Sequence, residues 1–316
     1  MYHRVAELDI DPWSLCVTPQ HFAEHLAVIK EIAHPISLQQ LNRDRQQGTI
    51  PHRAVAISFD DGYADNLDLA KPILESYGIP ATMFVSTGYL GAQREFWWDE
   101  LARILLKPGT LPPQLTLIIG DNCCEWELDT AADYSQSAYR HDRYCRAWAA
   151  QPGSRMFLYY SIWQVLRDLA EIDRQQALAQ IATWAGDDSQ PRSSYLPLTV
   201  DELASLSSGE LVEIGAHTVN HPFLPAQPIA VQQAEIDRSK RELERLLDRP
   251  VTSFSYPFGD RTAATIELVK ASGFEYACST QPDVVWGGSN CFDLPRYGVG
   301  NWNGAEFAER LELWLQ

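Results

Sequence analysis

The chain has 316 residues, is 45% hydrophobic and 21% charged, and carries a formal net charge of -17. That length suits one large α/β domain or a domain with a sizeable insertion, and the composition is that of a folded protein. The acidic balance disfavours nucleic acid and anionic membranes as partners and suits a neutral or amine-bearing ligand.

No apolar run approaches the ~20 residues needed to cross a bilayer. Met1-Tyr2-His3-Arg4-Val5 lacks the basic and apolar regions of a signal peptide. None of the six cysteines forms a CxxC pair, and Cys123 and Cys124 are adjacent, which is poor geometry for a mutual disulfide. Reduced thiols and a cytoplasmic location are expected for the chain as it stands, and an extracytoplasmic one if further residues precede Met1. No pattern fixes an oligomeric state.

In chain order, residues 1–5 form a short extended stretch containing His3. Thr18-Pro19 opens a helix to about residue 32, with Phe22, Leu26 and Ile29 at helical spacing. Residues 36–41 read as a short strand running into another helix. Gly48 and Pro51 break the chain before Val55-Ala56-Ile57-Ser58-Phe59, a run too short for a helix that reads as a buried strand. A helix over 66–77, ended by Gly78, and a second buried strand over 81–86 follow. This β, α alternation implies parallel strands joined by right-handed crossovers.

Residues 95–198 depart from that pattern. A helix opened by Phe96-Trp97-Trp98-Asp99 is stopped by Pro108, Pro112 and Pro113. Gly120-Asp121-Asn122 signals a hairpin, and two helices are expected over 155–169 and 173–184. The segment reads as a mainly helical insertion, and Trp97, Trp126, Trp148 and Trp163 imply that it has its own core. The alternation then resumes. A helix capped by Thr199 is followed by a strand leading to His217, a long charged helix over 231–247 and a strand ending at Pro257-Phe258-Gly259. The last elements are a helix over 262–272, strands over 276–279 and 294–299, and a closing helix over 304–315.

The chemistry gathers at strand ends. Asp60 and Asp61 close the 55–59 strand, at the edge where parallel α/β sheets carry their sites. Adjacent carboxylates repel unless a cation or a shared proton intervenes. His217-Thr218-Val219-Asn220-His221 follows another strand. On one helical turn such an i, i+4 pair faces one way, as a chelating pair must. Two imidazoles and one carboxylate make a facial set suited to Zn²⁺ or another first-row divalent ion, with positions left for water and substrate. One aspartate would then bind the ion and the other would serve as base toward an activated water, which points to hydrolysis of a carbonyl or phosphoryl centre. Aromatics near strand ends (Trp97, Trp98, Tyr256, Phe258 and Trp302) are candidates for stacking on a ligand.

These motifs resemble those of the polysaccharide deacetylases of carbohydrate esterase family 4, the NodB homology group. Ser58-Phe59-Asp60-Asp61-Gly62 is similar to the family's T/S-F-D-D-G, and His217 to His221 to its H-S/T-x-x-H. The resemblance covers about 1–94 and 199–300. It implies a distorted, TIM-like (β/α) barrel spanning 1–316, with the 95–198 insertion outside the shared core. It implies Asp60 as general base and Asp61, His217 and His221 as ligands of a divalent metal, most simply Zn²⁺, with Co²⁺ or Ni²⁺ as alternatives. The implied activity is removal of N-acetyl groups from an N-acetylated glycan, with acetate released. A small non-sugar amide on the same scaffold and an idle carbohydrate-binding domain are the alternatives.

Two departures matter. The family's R-x-P-Y-G loop is similar to Ser255-Tyr256-Pro257-Phe258-Gly259, but serine stands in place of the arginine that orients the base. Arg296, at the start of the last strand, is the expected replacement. Tyr256, Pro257, Phe258 and Trp302 are expected to line the substrate site, with the Phe258 N–H at the oxyanion. No histidine follows His221, so the family's C-terminal general acid is absent. The permuted poly-N-acetylglucosamine deacetylase branch instead carries a leading Tyr-His, which Tyr2-His3 resembles, and His3 is therefore the expected acid.

Overall fold

A computed structural model describes all 316 residues. Contacts divide them into two compact units, one of residues 1–7, 15–92 and 197–316, the other of residues 8–14 and 93–196.

The first unit is built on five parallel strands: β1 (Ile57–Phe59), β2 (Ala81–Val85), β3 (Val212–Ala216), β4 (Ser253–Ser255) and β5 (Tyr276–Cys278). They lie side by side in the order β5-β4-β3-β2-β1. The longest seam pairs Val212 to Ala216 with Ala81 to Val85 residue for residue. The sheet does not end in free edges. Beyond β5, Leu294 N–H donates to Ala277 O and Ser279 N–H to Leu294 O. The same 294–299 stretch meets residue 1 on its other side, where Val299 N–H donates to Met1 O. Tyr2 N–H in turn donates to Ser58 O on β1. The hydrogen bonds thus close a distorted (β/α) barrel, with irregular stretches where an ideal barrel has regular strands. Two further parallel pairs, Arg4–Val5 with Cys16–Val17 and His34–Pro35 with Ala54–Val55, complete the sheet structure of this unit. The expected single strand over 55–59 is therefore two pieces broken at Ala56, because Val55 pairs with Pro35 whereas Ile57 pairs with Ala81.

Strand alternation sorts the side chains into two layers. Phe59, Met83, Val85, Ile214, Ala216, Phe254 and Ala277 point outward into the main core, where helices Pro19–Ile32, Ile229–Leu247 and Gly304–Trp314 contribute Phe22, Leu26, Ile236, Leu243, Phe307 and Leu311. Each fully buried Phe, Leu, Ile, Met or Val among these contributes roughly 1.5–3 kcal/mol. Phe84, Tyr276 and Cys278 point inward and meet Ile36, Leu38, Leu41 and Leu294 in a second, interior cluster. Gly215 is the inward position opposite Phe84, and a Cβ there would fall 2.4 Å from the Phe84 ring.

Helix ends follow the sequence signals. Thr18 and Thr199 cap their helices through Oγ1, the latter in a capping box with Glu202. The 66–77 helix begins as a π turn over Asn66–Ala70, in which Lys71 N–H reaches Asn66 O, before regular helix over Lys71–Tyr77. Pro72 has no N–H to give to the turn before it, so a widened turn fits there.

The second unit holds helices Trp97–Leu105, Gln136–Asp142, Arg155–Arg167 and Glu171–Ala185 and the antiparallel hairpin Gln114–Ile119 with Asn122–Glu127. The hairpin turns at Gly120-Asp121, with Gly120 at φ 58°. Residues 8–14 belong to this unit as well, outside the expected 95–198 limits. The reason is Trp13, whose ring lies 4.2 Å from that of Trp163 and whose Nε1 donates to Tyr159 Oη at 2.7 Å. Trp97 and Trp98 are buried in this unit's core and present no face for stacking on a ligand.

Gly215→Ala is expected to destabilise the first unit by about 1–3 kcal/mol, the usual cost of overpacking a filled core. A lowered midpoint at unchanged slope in urea unfolding checks it.

Candidate active site

Asp60 and Asp61 leave the C-terminal end of β1 and are both buried. Neighbours on a regular strand point to opposite faces. Here Asp61 adopts a left-handed φ of 78°, followed by Gly62 at 91°, and the turn re-aims its side chain. Gly62 is needed twice, for that φ and because a Cβ would meet Val85 at 3.1 Å. The turn is held by Ser86 N–H to Asp61 O and Leu198 N–H to Gly62 O.

The two carboxylates thereby acquire different partners. Asp61 Oδ1 lies 3.5 Å from His217 Nε2 and 3.4 Å from His221 Nε2. These three residues offer ligand atoms within 4.8 Å of one another, all buried. Asp60 faces Arg296, whose Nη1 donates to Oδ1 and Nη2 to Oδ2, both at 2.8 Å. Arg296 uses its other donors on Ser58 Oγ, Ser255 Oγ and Ser279 O. The whole guanidinium fork is satisfied in a buried setting. Ser255 also donates to Asp60 Oδ2 at 3.2 Å. The small serine at the position of the motif's arginine leaves space that the guanidinium of Arg296 fills.

His217 continues inward from β3, and its Nδ1 lies 2.7 Å from Ser255 O. A carbonyl only accepts, so Nδ1 carries a hydrogen, and Nε2 is the nitrogen that faces Asp61. The His217–His221 segment is not the helical turn that the i, i+4 spacing suggests. It is a loop with Thr218 at φ 63° and His221 at φ 50°. Two left-handed residues bring the rings to 4.9 Å between centroids. Thr218 Oγ1 accepts from His221 N–H at 3.1 Å. Glu235, on the Ile229–Leu247 helix, accepts from the Val219 and Asn220 N–H groups at 2.9 and 2.8 Å and from Asn220 Nδ2 at 2.7 Å.

His3 enters from the neighbouring edge. Asp60 N–H donates to Tyr2 O, and Asn66 Nδ2 donates to His3 O at 2.9 Å. The buried Arg4–Asp65 pair, with Asp65 Oδ1 accepting from Val5 N–H, fixes the backbone just beyond. Burial pushes the His3 pKa down while Asp61 and Asp60 push it up, and the net shift is downward. For Asp60, burial raises the pKa, but Arg296 and His217 outweigh it and hold the carboxyl far below its ordinary range. Asp61 is likewise lowered, burial being outweighed by hydrogen bonding to His217 and by the nearby histidines. Both acids are carboxylates at neutral pH.

The Pro257-Phe258-Gly259 turn forms a further wall. Phe258 sits at φ 60°, and its ring lies 4.6 Å from that of His221. Pro257 is buried beneath it. Two expected ligand-facing aromatics lie elsewhere. Tyr256 is fully buried, its hydroxyl donating to Phe292 O and its ring against Phe254, because it follows Ser255 on β4 and points outward. Trp302 packs in the helical layer beside Trp314 and under Arg310, and its carbonyl is 2.7 Å from His25 Nε2. Neither offers a face to the Asp61–His217–His221 cluster.

Sequence reading missed Glu235, Asn66 and Ser279 O as supports. Glu235 sits among many charged helix residues and nothing local marks it. Asn66 opens a helix in an ordinary way.

A sequence model of the polysaccharide deacetylase family matches residues 47–110 and 162–277. The poly-β-1,6-N-acetyl-D-glucosamine N-deacetylase of Staphylococcus epidermidis is 35% identical over 79 residues, 24% of this chain and 27% of that protein. The enzyme of the same description from Staphylococcus aureus is 35% identical over 72 residues, 23% of this chain and 25% of its own length. These matches span about a quarter of each curated relative. Among solved structures, the Streptococcus pyogenes deacetylase PplD in complex with acetate superposes over 100% of this chain and 96% of its own, with a TM-score of 0.61 at 17% identity. IcaB from Ammonifex degensii covers 100% and 94%, with a TM-score of 0.59 at 15% identity. Both likenesses are likenesses of fold.

Arg296→Met leaves a buried carboxylate without its cation, which typically costs about 3–5 kcal/mol. The Asp60 pKa is depressed in the native state, so its contribution is complete above the unfolded carboxylate pKa of about 4 and fades as pH falls further. In the variant, Asp60 takes up a proton more readily. The stability gap to wild type is therefore largest at neutral pH and narrows on acidification, as urea unfolding across pH will show. Glu235→Ala removes three acceptor contacts from the histidine loop. Native-state amide exchange at Val219 and Asn220 should speed at least about tenfold, the effect of ~1.4 kcal/mol.

Proposed function

The chain belongs to the polysaccharide deacetylase family, and from that premise we propose that it hydrolyses the N-acetyl groups of an N-acetylated amino-sugar polymer of the poly-N-acetylglucosamine kind, releasing acetate. The observation that carries this reading is the split of two adjacent carboxylates. Asp61 faces two imidazole nitrogens, while Asp60 is locked to a guanidinium.

The donor set fits a divalent metal. The Nδ1 contact to Ser255 O leaves Nε2 as the His217 nitrogen turned toward Asp61, and a carboxylate and a second imidazole stand within ligating reach. Asp61, His217 and His221 would hold the ion, with Zn²⁺ the natural occupant of such a set and Co²⁺ or Ni²⁺ as substitutes. When bound, the ion supplies Lewis acidity toward water and the acetamide carbonyl.

The residues of the chain divide the remaining work. Asp60, kept ionised by Arg296, accepts the proton of the attacking water. Arg296 orients that carboxylate through both oxygens and takes no proton itself, since guanidinium stays charged. The Phe258 backbone N–H, set by a left-handed φ, donates to the oxygen on which charge builds, a contribution of about 3 kcal/mol in comparable sites. His3 protonates the departing amine, and Asn66 holds its backbone in place. An acidic protein suits the product, because each deacetylated unit gains a positive charge.

The test is acetate release from N-acetylglucosamine oligomers together with metal content. Asp60→Asn is expected to retain the metal and lose roughly 10²–10⁴ in turnover, the range of general base catalysis. Near wild-type release by that variant would remove Asp60 from the base's role. His217→Ala should lose the metal, and full metal occupancy in it would remove His217 from the ligand set.

A further inference from the structure

The second unit carries a cluster that the deacetylation chemistry does not use. His141, Asp142 and Cys145 place an imidazole nitrogen, a carboxylate oxygen and a thiol sulfur within 4.8 Å of one another. His141 and Asp142 are the last residues of the Gln136–Asp142 helix, and Cys145 lies one turn further on. The thiol is 3.7 Å from His141 O.

The surroundings of Asp142 give the cluster direction. Asp142 is 8% exposed, and the hydroxyl of buried Tyr134 donates to its Oδ2 at 2.8 Å. No lysine or arginine forms an ion pair with it. Two nearby arginines, Arg143 and Arg155, are committed elsewhere. Arg143 pairs with Asp9 and donates through Nε to Asp9 O. Arg155 spends its donors on the carbonyls of Leu105, Gly109, Ala131 and Ala132. The phenol of Tyr134 is a neutral partner, and no cationic side chain completes the surroundings of this carboxyl group, a place that a metal ion would take. The groups facing that opening are an imidazole and a thiol, both metal ligands. Exposed His141 leaves the site open to solvent for entry and for water in a fourth position.

We propose that His141, Asp142 and Cys145 form a second divalent metal site, distinct from the barrel cluster, that takes Zn²⁺ or a similarly borderline-soft ion. The mixed nitrogen, oxygen and sulfur set excludes Mg²⁺ and Ca²⁺, which require oxygen ligands. On binding, the Cys145 S–H bond breaks, its proton goes to solvent and the sulfur electron pair goes to the ion. Tyr134 remains as the outer hydrogen bond that orients the Asp142 carboxylate. The ion ties the end of a seven-residue helix to the turn that follows it, in a stretch whose other elements are equally short.

Cobalt titration of the intact, reduced protein tests this independently of deacetylation. The barrel donors are a carboxylate and two imidazoles, so a near-ultraviolet thiolate-to-cobalt charge-transfer band reports only a sulfur-containing site. The band is expected in the wild type and lost in Cys145→Ser. In His141→Ala, an exposed position where folding is not at stake, cobalt affinity read from the band should fall at least about tenfold. Zn²⁺ should displace the cobalt and slow alkylation of Cys145, read peptide by peptide, by at least about tenfold. No band in the wild type would overturn the proposal. So would a band that survives in Cys145→Ser, which would place the ion at another thiol such as the Cys123–Cys124 pair, or unchanged affinity in His141→Ala.

Discussion

Asp60 and Arg296 are the condition on which the barrel interior is built. Neither charge could stand alone where it lies, since an unpaired ion in such surroundings costs several kcal/mol. Together they form a two-point contact whose remaining donors end on Ser58, Ser255 and Ser279. Those partners come from β1, from β4 and from the residue after β5, and Arg296 itself comes from the stretch that closes the ring. One guanidinium thus ties together four neighbours of the barrel wall. The same contact holds the Asp60 carboxyl far below its ordinary pKa range, so the geometry of closure and the electrostatics of that carboxylate are one feature.

The second constraint is backbone strain at the strand ends. Asp61, Thr218, His221 and Phe258 all adopt left-handed conformations that β-carbon residues ordinarily avoid. Each belongs to the candidate site or its wall. Asp61 turns a carboxylate away from its neighbour, Thr218 and His221 fold a loop so that two imidazoles converge, and Phe258 orients its peptide beside them. The surroundings hold these conformations: Gly62 against Val85, Glu235 beneath the histidine loop, and Gly259 packed where a Cβ would strike Thr280. Strain at these four positions fits a preorganised site, where donors and acceptors stand in place before a ligand arrives.

The sequence rules succeeded where the controlling physics is local. The short apolar run at 81–86 and the run before His217 predict strands, and caps at Thr18, Thr199 and Gly78 predict helix limits. They failed where a long-range partner decides. The spacing of His217 and His221 fits a helical turn, yet β3 delivers the chain into a loop that Glu235, fourteen residues beyond His221, holds open. Tyr256 and Trp302 stand beside motifs in sequence but face the helical layer, because alternation on β4 and packing against Trp314 turn them outward. Residues 8–14 look like a lead-in, and it is the burial of Trp13 against Trp163 that assigns them to the second unit.

By itself the sequence determined the α/β alternation, the aspartate pair at a strand end, the two histidines and the family, because each is written in contiguous residues whose chemistry requires that spacing. Only the tertiary structure decided which aspartate faces which partner. It also decided how serine at 255 leaves room for an arginine from 41 residues away, and what holds the histidine loop. Those outcomes depend on where strands meet around a closed ring, and ring closure is a property of non-local hydrogen bonds that no short window of sequence contains.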